Sequence, residues 1–220
     1  AMGQSQQVFV RYFPRTETPL SVTLQVESND PDEGIVEVAV TGQGVPYQNR
    51  ALSLDGNGDY MLVGKKDAFN TTTLTMELWF NIIASDKQMT ILWNGDTAGG
   101  RDPFWLYTSD GKLFNLRLVF NGATIYLKAQ AHTPGYHHIA FVIDDSTKAA
   151  SFYLDGILAD WADFTGTSPA EYNYLAVGAY ADGGGTADFM EGFIDEVRFW
   201  NVARTAEQIR ASMDLTLPGN

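Results

Sequence analysis

Leu113-Phe114-Asn115-Leu116-Arg117-Leu118-Val119-Phe120 places Phe114, Leu116, Leu118 and Phe120 on one face of an extended chain and Asn115 and Arg117 on the other. Side chains alternate across a strand with a period of two, so this stretch reads as a half-buried β-strand. The pattern recurs downstream. Residues 137–143 set Ile139, Phe141 and Ile143 against His138, Ala140 and Val142, and residues 150–155 set Phe152 and Leu154 against Ser151 and Tyr153. Further strands are predicted at 52–54, 60–63, 74–83, 90–93, 104–107, 124–129, 175–179 and 193–200. Asp110-Gly111, Asn121-Gly122 and Asp155-Gly156 punctuate them, the pairs that favour tight hairpins. About a dozen short strands at this spacing predict an all-β, two-sheet antiparallel sandwich or jelly roll. One segment reads as helix. Thr205 can cap it and Gln208, three residues on, completes a capping box, which predicts a helix over 206–213 with Ile209 and Met213 facing the body.

The chain has 220 residues, a net charge of −13 and no cysteine. The acidic balance disfavours nucleic acid and anionic membranes as partners and suits divalent cations and neutral sugars. The lack of cysteine excludes disulfides, thiolate metal sites and a thiol nucleophile. No apolar run approaches the roughly 18 residues of a membrane span, so no membrane insertion is expected. Ala1-Met2-Gly3 reads as an expression scar, and no signal peptide opens the sequence.

Residues 1–45 differ from the rest. They hold three strand-like runs, 8–13, 22–27 and 35–41, with the turn Ser28-Asn29-Asp30-Pro31-Asp32 between the last two. Their charge is −4, against −9 for the remainder. Residues 46–50 read as a linker, 51–213 as the sandwich and 214–220 as a tail. Three strands are too few for an independent sandwich, so this piece is expected to pack against the larger unit or to pair with another chain, a strand-mediated dimer.

Four ordered segments carry a family resemblance. They are Ala51-Leu52-Ser53-Leu54-Asp55-Gly56-Asn57-Gly58-Asp59-Tyr60; Leu74-Thr75-Met76-Glu77-Leu78-Trp79-Phe80; Tyr136-His137-His138-Ile139-Ala140-Phe141 followed by Phe152-Tyr153-Leu154-Asp155-Gly156; and Gly192-Phe193-Ile194-Asp195-Glu196-Val197-Arg198-Phe199-Trp200-Asn201 followed by Ala203-Arg204-Thr205. Together they resemble the laminin-G-like, concanavalin A-like jelly rolls of the bacterial kind, relatives of pentraxins. Tyr136 stands where that family usually has Trp. Phe13-Pro14, Ser28-Asn29-Asp30-Pro31 and Val40-Thr41-Gly42-Gln43-Gly44 resemble the closing half of an immunoglobulin-like choice-of-anchor or ASH-type domain. Such domains recur in large modular surface proteins, so the resemblance implies an extracellular or cell-surface location.

Asp55, Asn57 and Asp59 alternate through a Gly-loosened turn that could supply hard oxygens to Ca²⁺. The resemblance makes the first and last strands neighbours, with 52–54 paired beside 197–199. It implies a structural Ca²⁺ site near this turn, with Asp195 or Glu196 joining it. An ion-free Asx turn explains the same residues. Trp93-Asn94-Gly95-Asp96-Thr97-Ala98-Gly99-Gly100-Arg101-Asp102-Pro103-Phe104-Trp105-Leu106-Tyr107 gathers aromatic and planar polar groups round a Gly-rich loop. Trp93, Asn94, Asp96, Arg101, Asp102, Trp105 and Tyr107 are therefore candidate sugar contacts, with Arg101 and Asp102 expected on the surface. Trp93 and Trp105 read first as core ends of two paired strands, and as sugar contacts second. Trp161, in an expected loop, is a further candidate. A second acidic run, Asp182 to Asp188, reads as a surface loop.

The glucanases of the resembled superfamily align three acids as E-x-D-x-E on one strand. Here Glu191 and Asp195 are four apart, Glu196 falls on the opposite face from Asp195, and Glu77 stands alone. Adjacent His137 and His138 face opposite sides and cannot share an ion there. These readings predict a non-catalytic carbohydrate-binding or adhesion module of a larger surface protein, assisted by Ca²⁺ and binding a glycan or polysaccharide. A protein-binding adhesion or spacer module is the alternative, and a glycan-cleaving enzyme the third reading.

Overall fold

A computed structural model describes residues 19–27, 34–42, 51–64, 69–83, 86–95, 102–121, 123–131, 133–167, 174–182 and 185–215. The predicted strand at 8–13, the linker at 46–50, Asp96 and Arg101 lie outside them. The chain divides into two compact units, 1–49 and 50–220.

In the first unit β1 (Leu20–Glu27) and β2 (Ile35–Gly42) form an antiparallel ribbon, from Leu20 opposite Gly42 to Glu27 opposite Ile35. Gln25 Nε2 donates to Glu37 Oε1 across it at 2.8 Å. Val22, Ile35, Val36 and Val38 are exposed, as expected of a two-stranded ribbon, which has no interior of its own.

The second unit is a sandwich of two antiparallel six-stranded sheets. Its strands in chain order are β3 (Leu52–Asp55), β4 (Met61–Val63), β5 (Leu74–Ile82), β6 (Met89–Gly95), β7 (Phe104–Thr108), β8 (Leu113–Phe120), β9 (Ala123–Gln130), β10 (His137–Asp144), β11 (Ala149–Leu154), β12 (Ile157–Asp163), β13 (Tyr174–Val177) and β14 (Glu191–Trp200). One sheet runs β12-β11-β10-β5-β14-β3 and the other β4-β13-β6-β7-β8-β9. The alternation read from the sequence holds. Phe114, Leu116, Leu118, Ile139, Phe141 and Phe152 are buried between the sheets, and Leu154, Val197 and Phe199 pack against them. The Asp155-Gly156 turn takes positive φ at both residues (51° and 73°), the geometry that matches the twist of a two-residue hairpin.

The first and last strands of the sandwich do pair, but in a different register from the expected one. Leu52 lies opposite Ile194 and Asp55 opposite Glu191, so 52–54 do not sit beside 197–199. The difference is five residues along the last strand, one of which is the extra residue of the bulge between Asp195 and Arg198, and alternation cannot choose among the remaining even slips. A second departure follows in β14. The register against β5 shifts between Asp195 and Arg198, with Glu196 at φ 49°. The extra residue of this bulge turns the Glu196 carboxylate to Arg198, at 2.7 Å, on the outer face that also carries Asp195, rather than to the face opposite.

The outer face of the β10–β5–β14 region lies under α1 (Ala206–Ser212). Thr205 accepts from the Gln208 backbone N–H and Gln208 returns a bond to the Thr205 N–H, the capping box expected from the sequence. Ile209 packs on Ala140, Val142 and Tyr153. Glu77, isolated in sequence, is wholly buried there and not alone. Oε1 accepts from Arg204 Nη1 at 2.9 Å and Trp200 Nε1 at 3.0 Å, and Arg198 Nη1 lies at 3.5 Å. Arg198 also donates to the carbonyls of Ser212 and Leu215, which fastens the chain beyond the helix to the sheet.

Candidate open-face binding site

The outer face of the second sheet is built by the same alternation from β6 to β9. Trp93 pairs with Trp105, Trp105 with Arg117, and Arg117 with Tyr126, which makes one row across four strands. Beside it Thr90, Tyr107, Asn115 and Lys128 form a second row. Trp105 and Tyr107 stack with centroids 4.2 Å apart, and Trp105 Nε1 donates to Thr90 Oγ1 at 2.9 Å, which fixes the indole plane. Trp105, Tyr107, Asn115 and Arg117 are half-buried, and Tyr126 is 56% exposed. A flat aromatic pair beside planar donors and acceptors suits a saccharide, whose C–H faces stack on rings while its hydroxyls take hydrogen bonds.

The rim comes from the acidic segment after β13. Tyr180 and Ala187 form an isolated antiparallel bridge, and Tyr180 packs against both Trp93 and Trp105. Its hydroxyl lies 3.1 Å from Asp102 Oδ2 and 3.2 Å from Asp182 Oδ2. Gly95 is required here, because a Cβ would fall 2.3 Å from Asp102 Oδ1 and 2.4 Å from the Trp93 ring. Burial pushes the Asp102 carboxyl above the usual carboxylate range and the nearby Asp182 adds to this. The Tyr180 hydrogen bond and the Arg117 guanidinium, 3.6 Å away, act in the opposite sense. Burial, then the two carboxylates, also raises the Tyr180 phenol.

The structure sorts the candidates from the sequence. Trp105 and Tyr107 lie on the face. Trp93 lies on the same side but is fully buried beneath the Tyr180 segment, so it supports the floor. Asn94 points the other way, into a narrow apolar gap with Phe69, Met76 and Phe104, and donates to the Tyr174 carbonyl. Asp102 is 6% exposed rather than on the surface, because the rim encloses it. Trp161 is on strand β12 rather than in a loop, 58% exposed, on the outer side of the other sheet. Arg117, Tyr126 and Tyr180 were not among the candidates. Arg117 and Asn115 were nonetheless legible as the polar side of the strand at 113–120, and Tyr126 as an outward position of the strand at 124–129.

The five cation candidates do not form one site. The turn holds its own acids, with Asp55 Oδ1 accepting from the Asn57 N–H at 2.8 Å and Asp59 Oδ2 lying 3.4 Å from the Asp55 N–H. Lys87, ion-paired to Glu191 at 3.6 Å, crowds Gly56 of the same turn. Asp55 faces Glu191, and Asp195 is four residues farther along a strand that rises about 3.3 Å per residue, roughly 13 Å away. Glu196 belongs to Arg198. Among the described residues no three His, Cys, Asp or Glu side chains converge in a cation-binding arrangement. The histidine pair divides as expected. His137 bonds Asp155 at 2.8 Å, which raises the imidazole pKa, while His138 meets Trp79 edge-on across the sheet.

Similar folds occur in sugar-binding and sialidase proteins. The carbohydrate-binding module CBM40 of the Ruminococcus gnavus IT-sialidase, solved with α2,3-sialyllactose bound, superposes with a TM-score of 0.62 at 14% identity, covering 74% of this chain and 96% of that one. A NanB sialidase variant from Streptococcus pneumoniae gives 0.61 at 14% identity, over 78% of this chain and 28% of that one. The heptameric SAP-like pentraxin of Limulus polyphemus gives 0.55 at 14% identity, over 73% and 79%. At such identities the likeness concerns the fold. No curated protein matches the sequence. Residues 55–210 match the sequence pattern of one family across most of the sandwich, and the chain belongs to that family, the concanavalin A-like lectin/glucanases superfamily.

Proposed function

We propose that this protein is a non-catalytic carbohydrate-binding module of a larger exported or cell-surface protein, and that it holds its glycan on the outer face of the β6–β9 sheet. The observation that carries this reading is the stacked Trp105–Tyr107 pair beside half-buried Arg117 and exposed Tyr126, on a face over which the described residues pack no helix. The sialyllactose bound by the CBM40 neighbour supports a glycan as the class of ligand. The test is a glycan array followed by NMR titration of the isotope-labelled protein with the best hits, with sialyllactose and lactose included throughout. Chemical-shift changes should cluster on Trp105, Tyr107 and Tyr126, and Trp105→Ala should weaken binding by at least about tenfold, the loss expected for an aromatic anchor. Changes confined to residues elsewhere would overturn the assignment.

One observation favours the protein-binding alternative. Ile157, Leu158 and Trp161 are exposed together on β12, an edge strand. Exposed apolar edges recruit partners. Trp161→Ala should leave glycan binding unchanged if the two surfaces are separate.

A further inference from the structure

We propose that Arg117 is the anion-reading group of the open face, and that the ligand is a saccharide carrying an isolated carboxylate rather than a neutral sugar or a polyanion. This rests on the glycan-binding reading above and names the class of sugar.

The inference starts from how the arginines are used. Four lie among the described residues. Arg198 donates to the Glu196 carboxylate and to the Ser212 and Leu215 carbonyls. Arg204 donates to Glu77, the Gln208 carbonyl and Ser212. Arg210 donates to the Gly156 carbonyl and Glu207. Arg117 has by contrast a single acidic partner among the described residues, Asp102. Arg117 Nη1 lies 3.6 Å from Asp102 Oδ2, a loose ion pair, and that oxygen also takes the Tyr180 hydroxyl. A guanidinium presents five N–H donors in a planar fork that matches a carboxylate in two parallel bonds.

The surroundings favour an occupant for that fork. The Arg117 side chain is only 27% exposed, and its cross-strand neighbours are the Trp105 and Tyr126 rings. Partial burial limits the water that can solvate the charge and strengthens its attraction for an anion. Asn115 two residues along the strand and Tyr107 on the next strand stand ready for the hydroxyls around such a carboxylate. A sugar acid combines these needs, with an anionic group for the fork and a pyranose face for the rings. The remainder of the molecule restricts the ligand further. A chain with a net charge of −13 repels a polyanion at long range. Attraction is therefore confined to the contact itself, and a single acidic residue in an otherwise neutral glycan fits best.

The experiment compares acid and methyl-ester forms of the same sialylated and uronate-bearing oligosaccharides, together with sulfated lactose and a heparin fragment. Binding is followed by calorimetry and by the Trp105 indole N–H resonance. The acid forms should bind at least about tenfold tighter than their esters, the discrimination expected of a charge-assisted pair. Arg117→Gln should erase that preference without moving the melting temperature. Arg117→Lys, which keeps the charge and loses the fork, should retain only part of it. Acid and ester binding equally at the Trp105 face would overturn this proposal and leave the glycan reading standing. A preference for sulfated lactose or heparin over the carboxylated sugars would overturn the carboxylate assignment. The absence of any glycan response at Trp105 would instead overturn the reading on which the proposal rests.

Discussion

The two outer faces of the sandwich begin from the same alternation and end in opposite states. On one, Ala140, Val142 and Tyr153 are buried beneath Ile209, and the Glu77 carboxylate is enclosed with Arg198 and Arg204. On the other, Trp105, Tyr107 and Arg117 remain half-buried, and among the described residues the Arg117 charge meets one carboxylate, Asp102, at 3.6 Å. The helix makes the difference. Charges under it must be matched because they cannot reach water, whereas charges on the open face can remain incompletely paired and available to a ligand.

The largest expected effect tests the covered face. Glu77→Gln leaves Arg198 and Arg204 facing a neutral group in a dry site, and breaking a buried pair in this way costs about 3–5 kcal/mol. Arg117→Gln on the open face should stay within about 0.5 kcal/mol, as surface substitutions do. Urea denaturation of both variants measures the contrast, and equal losses would erase the distinction between the faces.

A change of sign sharpens it. The Asp102 carboxyl is raised by burial, so the folded protein holds that proton more tightly than the unfolded chain does. Its contribution favours folding at low pH and is lost as pH rises from the ordinary carboxylate value through the raised one. At pH 7 Asp102→Asn should therefore hold or raise the melting temperature, where Glu77→Gln lowers it. The gap between Asp102→Asn and the unmodified protein should close as the pH falls through that range. A large loss of stability at pH 7 would show that the rim depends on the ionised carboxylate.

The smallest expected effect concerns the turn at residues 55–59, which belongs to neither face. Its acids are already engaged with their own backbone N–H groups, and Lys87 lies against the turn. Millimolar Ca²⁺ and chelator should leave the melting temperature nearly unchanged. A rise of several degrees with Ca²⁺, abolished by Asp59→Ala, would establish a cation site at this turn.

What the sequence determined by itself is local. The alternation of Phe114, Leu116 and Leu118 with Asn115 and Arg117 specified a strand and its buried side. Thr205 and Gln208 specified where the helix starts, and Asp155-Gly156 specified a tight hairpin turn. Each of these depends on φ, ψ and the neighbours within a few residues. What only the tertiary structure decided is what lies on the far side of each face. Trp93 and Trp105 both alternate outward, yet the Tyr180 segment buries one and leaves the other half-open. Glu77 reads as a lone acid until β14 and the chain after it deliver Arg198 and Arg204. Asp195 reads as a neighbour of the acidic turn until the register sets it roughly 13 Å away. Alternation survives any even slip of register and carries no information about which distant segment covers a sheet, so the site came from pairings between residues far apart in the chain.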